Sequence, residues 1–247
     1  MVSQEYPVSK PIATSSINPK ASPFDHLASD YDAWFEGEGK LTFDIEVQAL
    51  QEVLPFLPKP WLEVGVGSGR FAQALSIESG LDPSIRMLEI ARRRRIVAYL
   101  GRGEQLPFRG ASFGTVFLIT TLCFCDSPPD VLREVHRITV PRGKIALGTV
   151  LRESPWGRFY EQKKEKEHSR YEYSFFQYDE VVRLLEQAGF SVERVISTLF
   201  QKPGTINHEE PGRVEHMESP ESGYFAEAGF TVIMAGKGAN KELSYSD

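Results

Sequence analysis

The residues with the clearest chemical potential form a glycine-rich turn. Gly65, Gly67 and Gly69 follow the apolar run WLEV and precede a helical pattern that begins at Arg70. Glycine has no Cβ and adopts positive φ angles readily, so such a backbone can approach a ligand closely. The start of the next helix adds free N–H groups and partial positive charge. The spacing therefore predicts a binding site for a nucleotide-like ligand.

An acidic residue stands where the second predicted strand ends. Asp82 closes the run SIESGLD and follows Gly65 by 17 residues, close to the roughly 20 expected for a ribose-binding acid. A carboxylate in this place accepts hydrogen bonds from the ribose hydroxyls, although an Asp before Pro83 could also cap the next helix. Together with the glycine-rich turn, Asp82 indicates a ligand that contains adenosine.

Two phosphate-binding patterns are disfavoured by the same segment. The dinucleotide fingerprint G-x-G-x-x-G requires a third glycine at position 70, which is occupied by Arg70. A phosphate loop requires Gly-Lys-Ser or Gly-Lys-Thr at its end, and the turn contains neither. An NAD-dependent oxidoreductase on a similar sheet is therefore the weaker alternative.

Four segments, in this order, resemble the class I S-adenosylmethionine-dependent methyltransferases of the small-molecule type (methyltransferase domain 11-like). The segments are LEVGVGSGRF, GLDPSIRML, GRGEQLPFRGASFGTVFL and LREVHRITVPRGKIAL. The resemblance implies S-adenosylmethionine as the cofactor and methyl transfer to a small-molecule acceptor. It also implies an α/β fold with a Rossmann-like, doubly wound, mostly parallel seven-stranded sheet whose last strand is antiparallel. The alternative is a module that binds the cofactor without transferring methyl groups.

The resemblance implies cofactor-binding roles for the turn and for the end of the second strand. Gly65, Gly67 and Gly69 form the turn beneath the methionine part of the cofactor, and Glu63 organises that turn. Asp82 holds the ribose. For Glu63, the simpler alternative is a buried acid that other protein groups satisfy.

Later segments supply the remaining contacts that the resemblance implies. The backbone near Glu104 and Gln105 meets the adenine edge, Leu106 lies against the ring, and Met87 lies near the adenosine pocket. The other cofactor-binding residues are Thr120 and Thr121, where the chain passes the reactive sulfonium, and Tyr31, an N-terminal lid residue in the segment YDAWF. Simple helix packing is the alternative for Tyr31.

No residue pattern specifies a catalytic base. A sulfonium methyl is already activated, so such an enzyme acts mainly by aligning donor and acceptor, which contributes about 7–11 kcal/mol. A base is needed only for a protonated acceptor, and His26 and His168, in the predicted lid segments, have slight claims to that role.

Cys123 and Cys125 are predicted to be core thiols on one side of an extended chain. Two ligands are too few for a metal site.

The order of the elements predicts the domain. Strands and helices alternate over residues 61–150, which is typical of βαβ units around a buried parallel sheet. Residues 23–58 are predicted to form a helical cap, and residues from about 151 to 176 an insertion over the site. The whole domain is predicted to span residues 23–238, between flexible tails at 1–22 and 239–247.

The composition restricts the partners. A net charge of −6 disfavours nucleic-acid binding, and the basic run 92–95 is interpreted as a solvated helix end. The chain has no apolar run long enough to cross a membrane and no secretory signal pattern, which predicts no membrane partner. With two cysteines a disulfide framework is not expected, and the predicted location is the cytoplasm. No motif specifies the oligomeric state.

Overall fold

The computed structural model describes residues 22–167, 173–203 and 214–238. Residues 1–21 and 239–247 of the two predicted tails, and His168, lie outside the described residues. The helices are α1 (Ala28–Trp34), α2 (Lys40–Gln51), α3 (Arg70–Leu75), α4 (Ile85–Arg93), α5 (Pro128–Ile138), α6 (Pro155–Glu167) and α7 (Tyr178–Gln187). The strands are β1 (Trp61–Val64), β2 (Ser79–Asp82), β3 (Val97–Leu100), β4 (Phe113–Ile119), β5 (Thr139–Thr149), β6 (Phe190–Thr198), β7 (Glu221–Ser222) and β8 (Phe230–Lys237).

The sheet is mixed and, within the described residues, has eight strands in the order β3-β2-β1-β4-β5-β8-β6-β7. Strands β1 to β5 pair in parallel, and β8 runs antiparallel to both β5 and β6. The predicted α/β, Rossmann-like fold is confirmed, but the prediction of seven strands is wrong. The additional strand, β7, consists of two residues that pair with Ile196 and Ser197, which is too short for a periodic sequence signal.

The strand order reverses at β1, which lies between β2 and β4. In an open α/β sheet, the crevice beyond the carboxyl ends of the strands at this point is the usual ligand site. Glu63, near the end of β1, is in register with Gly80 of β2 and Phe117 of β4. The glycine-rich turn that follows β1 therefore opens into this crevice.

Both faces of the sheet are buried, as the continuous apolar run of β4 predicts. Phe117 and Ile119 pack in one core cluster with residues of α2, α3 and α4. Val116 and Leu118, which alternate with them, pack in a second cluster with residues of α5 and α7. Helices therefore cover both faces of the sheet and hold the strand ends in fixed positions.

The segment predicted as a helical cap forms a 3-10 turn at Pro23–His26 followed by α1 and α2. Ser22 begins the turn, and its hydroxyl oxygen accepts a hydrogen bond from the Phe24 N–H (3.3 Å). Helix α2 contacts α3, β6 and β8. The cap consequently lies close to the glycine-rich turn, since α3 begins directly after that turn.

Candidate active site

A cavity of about 1840 Å³ opens at the carboxyl ends of β1, β2 and β4, between the N-terminal cap and α6. Nine of the twelve residues predicted to bind a cofactor line this cavity. They are Tyr31, Glu63, Gly65, Gly67, Asp82, Met87, Glu104, Thr120 and Thr121. The fold thus brings residues from distant parts of the chain to one site.

The three glycines of the turn all have positive φ angles but differ in their surroundings. A Cβ on Gly65 would lie 2.3 Å from the side-chain oxygen of Thr121. A Cβ on Gly67 would enter open space, with a Tyr31 ring atom 4.0 Å away, whereas one on Gly69 would lie 3.2 Å from Ala91 of α4. The absence of a side chain at Gly67 therefore leaves space in the cavity above the turn. Gly69 lies outside the cavity wall and permits the close approach of the start of α3 to α4.

Gln105 and Leu106 also lie outside the cavity wall. Gln105 is exposed, whereas the Leu106 side chain is buried in the core cluster under α5. The Leu106 N–H donates a hydrogen bond to a carboxylate oxygen of Glu134 (2.8 Å), and its carbonyl accepts one from Arg137 (3.0 Å). These bonds to α5 hold the Leu106 side chain away from the cavity where the adenine contact was expected.

Asp82 closes the turn from the opposite strand. Its Oδ2 accepts a hydrogen bond from the Gly67 N–H (2.9 Å), and its Oδ1 accepts one from the Ser84 N–H (2.8 Å). The helix cap is not Asp82 but Ser84, whose hydroxyl accepts from the Met87 N–H. The pKa of Asp82 is raised to about 6. Burial is the largest cause and the Asp25 charge adds to it, whereas the two backbone hydrogen bonds act in the opposite direction. Each carboxylate oxygen retains a lone pair for another donor.

Glu63 is the most deeply buried acid of the site, with 1% of its surface exposed. Among the residues that the structure describes, none forms a hydrogen bond with its Oε2. Burial raises the pKa of Glu63 well above its usual range, and the Asp82 charge raises it further, against a backbone hydrogen bond at Ala72. A buried acceptor without a donor is costly, so this oxygen is suited to a cationic ligand group.

Tyr31 stands over the turn from α1. Its ring lies edge-on to Phe35 at 5.1 Å between centroids, and it borders the space above Gly67. Although 37% of its surface is exposed, that surface faces the cavity. Burial raises the pKa of Tyr31, and the charges of Glu46 and Asp82 add to the effect. The hydroxyl therefore lies in acidic surroundings.

An ion-pair network ties α1 to the turn, and the sequence analysis missed it. Asp32 accepts hydrogen bonds from Arg70 and from Arg94 (2.9 Å), and Arg94 also donates to the Ser68 carbonyl (2.9 Å). Arg94 was interpreted as part of a solvated helix end, but its side chain is only 13% exposed. Burial raises the pKa of Asp32, but hydrogen bonds from Arg70, Arg94 and Ser68 outweigh this and bring it to about 2.

The two cysteines do not lie on an extended chain. Strand β4 ends at Ile119, and Leu122–Phe124 forms a 3-10 turn. Cys123 and Cys125 both border the cavity, and burial raises the pKa of each thiol to about 12. Within the described part of the chain, no three His, Cys, Asp or Glu side chains lie close enough to hold a metal ion.

The side of the cavity opposite the turn is aromatic. Its wall includes Phe159 and Tyr160 from α6, Tyr173 and Phe175 from the segment after α6, and Phe124 from the 3-10 turn. The Phe124 and Tyr173 centroids are 5.9 Å apart, and those of Tyr160 and Phe175 are 6.1 Å apart. Aromatic residues of α6 and of the segment after it thus form part of the wall.

Glu46 of α2 also lines the cavity and was missed from the sequence. It is 7% exposed, and burial raises its pKa to about 8. The helical spacing of the apolar residues in this segment already indicates that Glu46 is buried. Glu46 occupies one position of the buried stripe Thr42, Ile45, Glu46, Ala49 and Leu50, where an apolar residue is the norm.

The described histidines do not line the cavity. His26 borders a separate surface groove between α1 and α4.

None of the described helices is long and apolar enough to cross a membrane.

The chain matches the family described as "Methyltransferase domain" over residues 62–147. It is similar to a Thermotoga maritima structure described as an S-adenosylmethionine-dependent methyltransferase and possible histamine N-methyltransferase. The two share 36% identity and a TM-score of 0.77, over 87% of this chain and 98% of the Thermotoga chain.

Two curated relatives extend the comparison. An uncharacterised protein of Methanocaldococcus jannaschii is 34% identical over 87% of this chain and 98% of its own length. A malonyl-[acyl-carrier protein] O-methyltransferase of Erwinia pyrifoliae is 36% identical over 36% of each chain. The similarity to the Thermotoga and Methanocaldococcus proteins therefore extends well beyond the segment that matches the domain family.

Proposed function

Because this chain belongs to the S-adenosylmethionine-dependent methyltransferase family, we propose that its cavity holds S-adenosylmethionine beside a small-molecule methyl acceptor. The chain is a methyltransferase, and S-adenosylmethionine is its cofactor. When bound, the cofactor supplies an activated sulfonium methyl group for in-line displacement. Family membership leaves the NAD-dependent oxidoreductase and the non-catalytic module without support.

The residues at the ends of β1 and β2 are suited to the cofactor. The unpartnered Oε2 of Glu63 is matched by a cationic ammonium group, such as that of the methionine part. The remaining lone pairs of Asp82 are matched by ribose hydroxyls, and Gly67 leaves the wall between them open. In this proposal Glu63 binds the amino group, Asp82 binds the ribose, and Met87 borders the adenosine.

The observation that carries the proposal of a small acceptor is the size and enclosure of the cavity. Ordinary single-ligand pockets measure roughly 300–1000 Å³, whereas this cavity measures about 1840 Å³. The cap and α6 enclose it, and its aromatic wall lies opposite the glycine-rich turn. There is consequently room for a second small molecule beside the cofactor, between the cap and α6.

The chain's own residues contribute alignment and exclusion of water. Tyr31 and Phe35 cover the turn, while Tyr160 and Phe175 cover the opposite side. Holding two reactants in a near-attack geometry contributes about 7–11 kcal/mol to such a transfer. Thr120 and Thr121, between β4 and the 3-10 turn, border both parts of the cavity in this proposal.

Calorimetric titration with S-adenosylmethionine and with S-adenosylhomocysteine tests the proposal, with NADH as the control ligand. We expect saturable binding of the first two at a stoichiometry near one and no binding of NADH. A screen for the acceptor then measures the release of S-adenosylhomocysteine in the presence of small amines, alcohols, thiols and carboxylic acids. Transfer only to a protein or nucleic-acid acceptor would overturn the proposal of a small-molecule acceptor.

A further inference from the structure

Glu46 is a buried acid that the cofactor contacts proposed above do not use. It belongs to α2, faces the cavity, and has 93% of its surface removed from solvent. In the described part of the chain, no side chain or backbone group forms a hydrogen bond or an ion pair with its carboxyl group. Burying such a group without a partner is costly, so Glu46 is suited to pair with a ligand group that enters the cavity.

The groups around Glu46 are aromatic or acidic. Glu46 lines the same cavity as Tyr31 of α1 and Tyr160 of α6, and its charge raises the pKa of both tyrosines. The other charged groups and the tyrosines that line the cavity are Tyr31, Glu38, Lys40, Asp44, Glu63, Arg70, Asp82, Arg102, Glu104, Asp126, Tyr160, Lys163, Tyr173 and Glu215. The acids outnumber the bases here, and Lys40 is paired with Asp44 at 2.6 Å.

The elements that pack against α2 supply no counter-charge. The charged groups of these elements all have other partners. On α3, Arg70 binds Asp32. On β6, Glu193 pairs with Lys144 and Arg194 lies over the Phe56 ring, and on β8, Lys237 donates to backbone carbonyls. Within the described residues, the elements that pack against α2 therefore leave a positive charge for Glu46 to a bound molecule. Aromatic faces also attract cations, and Tyr31 and Tyr160 line the same cavity.

We propose that Glu46 is the acceptor-binding residue of this enzyme and that the acceptor is a small amine, held as its ammonium ion by the Glu46 carboxylate between Tyr31 and Tyr160. This inference rests on the proposed function, since it names the chemical class of the acceptor. The two similar methyltransferases do not decide the class, because one is named for a nitrogen acceptor and the other for an oxygen acceptor. An anionic acceptor would gain no such pairing from Glu46.

The proposal has a consequence for proton release. Burial raises the pKa of the free Glu46 carboxyl group to about 8, so this group carries a proton at neutral pH. An ammonium ion in contact stabilises the carboxylate. On binding, the proton leaves Glu46 for the buffer, and the carboxylate–ammonium pair remains. Before methyl transfer the ammonium returns one proton to the Glu46 carboxylate, which frees the nitrogen lone pair to attack the sulfonium methyl as its bond to sulfur breaks. Binding of an amine should therefore release up to one proton, whereas binding of the matching alcohol should release none.

The test is calorimetry on the full chain saturated with S-adenosylhomocysteine, in two buffers of different ionisation enthalpy. The probes are benzylamine and 2-phenylethylamine, with benzyl alcohol, 2-phenylethanol and phenylacetate as matched comparisons. We expect the amines to bind at least about tenfold more tightly than the alcohols, the scale of a charged hydrogen bond, with proton release. Glu46→Gln should remove both effects, whereas Glu52→Gln, at the exposed end of α2, should remove neither.

The outcomes separate this inference from the proposed function. Absence of S-adenosylhomocysteine binding would contradict the proposed function itself. Binding of S-adenosylhomocysteine with no preference for the amines, or with equal preference in Glu46→Gln, would overturn the role of Glu46 alone. If Glu46→Gln weakened S-adenosylmethionine but not S-adenosylhomocysteine, the carboxylate would serve the sulfonium and the acceptor role would be wrong. Retained S-adenosylhomocysteine affinity shows that the variant is folded.

Discussion

Arg70 and Asp32 join the glycine-rich turn to the N-terminal cap through two hydrogen bonds between their side chains, from Nε to Oδ1 at 2.8 Å and from Nη2 to Oδ2 at 3.0 Å. Both side chains are largely buried, at 15% and 18% exposure. Arg70 directly follows Gly69, and Asp32 directly follows Tyr31. The bidentate pair therefore fixes the distance between the turn and the residue that covers it. The arginine that disfavours a dinucleotide site is also the anchor of the cap.

Asp32→Asn should weaken cofactor binding by loosening this anchor. Removing one partner leaves the Arg70 and Arg94 guanidinium groups without their shared carboxylate, and Tyr31 loses its fixed position. We expect the affinity for S-adenosylhomocysteine to fall about tenfold, the scale of a charged hydrogen bond. Calorimetry measures it, with Arg86→Gln of the exposed Arg86–Glu89 pair as control. Equal affinities in both variants would contradict a positioning role for the cap.

The same pair predicts a contribution to acid stability. The pKa of Asp32 is about 2 in the folded chain against an ordinary 3.8, so the unfolded chain binds this proton more readily. The stabilisation is complete above about pH 4 and is lost as the pH falls through about 2; allowing for solvent screening it amounts to about 1–2 kcal/mol. Urea unfolding of the wild type and of Asp32→Asn, at several pH values in this window, measures it. A constant difference between the two curves would show that Asp32 does not titrate with folding.

Glu46 predicts the opposite dependence at higher pH. Its pKa rises from 4.5 to about 8 on burial, so the folded chain binds the proton more tightly than the unfolded chain. The stability is fully present below about pH 4.5 and is lost as the pH rises through about 8. Glu46→Gln should match the wild type near pH 5 and exceed it near pH 8.5 by about 1–3 kcal/mol. Urea midpoints measure the difference, and Glu52→Gln is expected to show none; a constant offset in Glu46→Gln would rule out this titration.

Gly67→Ala and Gly69→Ala should separate binding from packing. Both residues have positive φ angles, so each alanine costs about 1–2 kcal/mol of stability. The new methyl group at position 67 enters the cavity, whereas at position 69 it lies 3.2 Å from Ala91 and Ile96. We therefore expect Gly67→Ala to lose most of its affinity for S-adenosylhomocysteine, and Gly69→Ala to lose more stability but retain affinity. Calorimetry and urea unfolding on both variants check this, and reversed effects would contradict the assignment of the wall.

The sequence predicted those parts of the site that local patterns encode. Glycines before a helix, and an acid at a strand end, require only the alternation of strands and helices to reach one crevice. Gly65, Gly67 and Asp82 accordingly lie together, with Gly67 hydrogen-bonded to Asp82. The third glycine followed the same pattern, but its positive φ serves the packing of α3 on α4.

The parts that were missed depend on contacts between distant residues. Asp32 and Arg94 are 62 positions apart, so neither signals the other along the chain. The direction of the Leu106 side chain is set by hydrogen bonds to Glu134 and Arg137 on α5, which the segment QLPF does not contain. Glu46 did carry a local signal, an acid in a buried helical stripe, but its surroundings become visible only once α6 closes the cavity.

Asp82 and Glu63 make separable predictions for the two ends of the cofactor. If Asp82 holds the ribose, Asp82→Asn should weaken both S-adenosylhomocysteine and 5′-methylthioadenosine, which lacks the amino-acid part, by about 1–3 kcal/mol. Glu63→Gln should weaken S-adenosylhomocysteine alone. Because burial raises the pKa of Asp82 to about 6, the affinity of the wild type for methylthioadenosine should increase as the pH rises through 6.

The asparagine variant is the sharper choice because alanine would leave the Gly67 and Ser84 N–H groups without any acceptor. Asparagine keeps one carbonyl oxygen and so preserves one of these bonds, although its amide cannot ionise. The pH dependence of methylthioadenosine binding should therefore vanish in Asp82→Asn while the chain stays folded. If methylthioadenosine bound the variant with unchanged affinity and unchanged pH dependence, Asp82 would only hold the turn, and the ribose would have another partner.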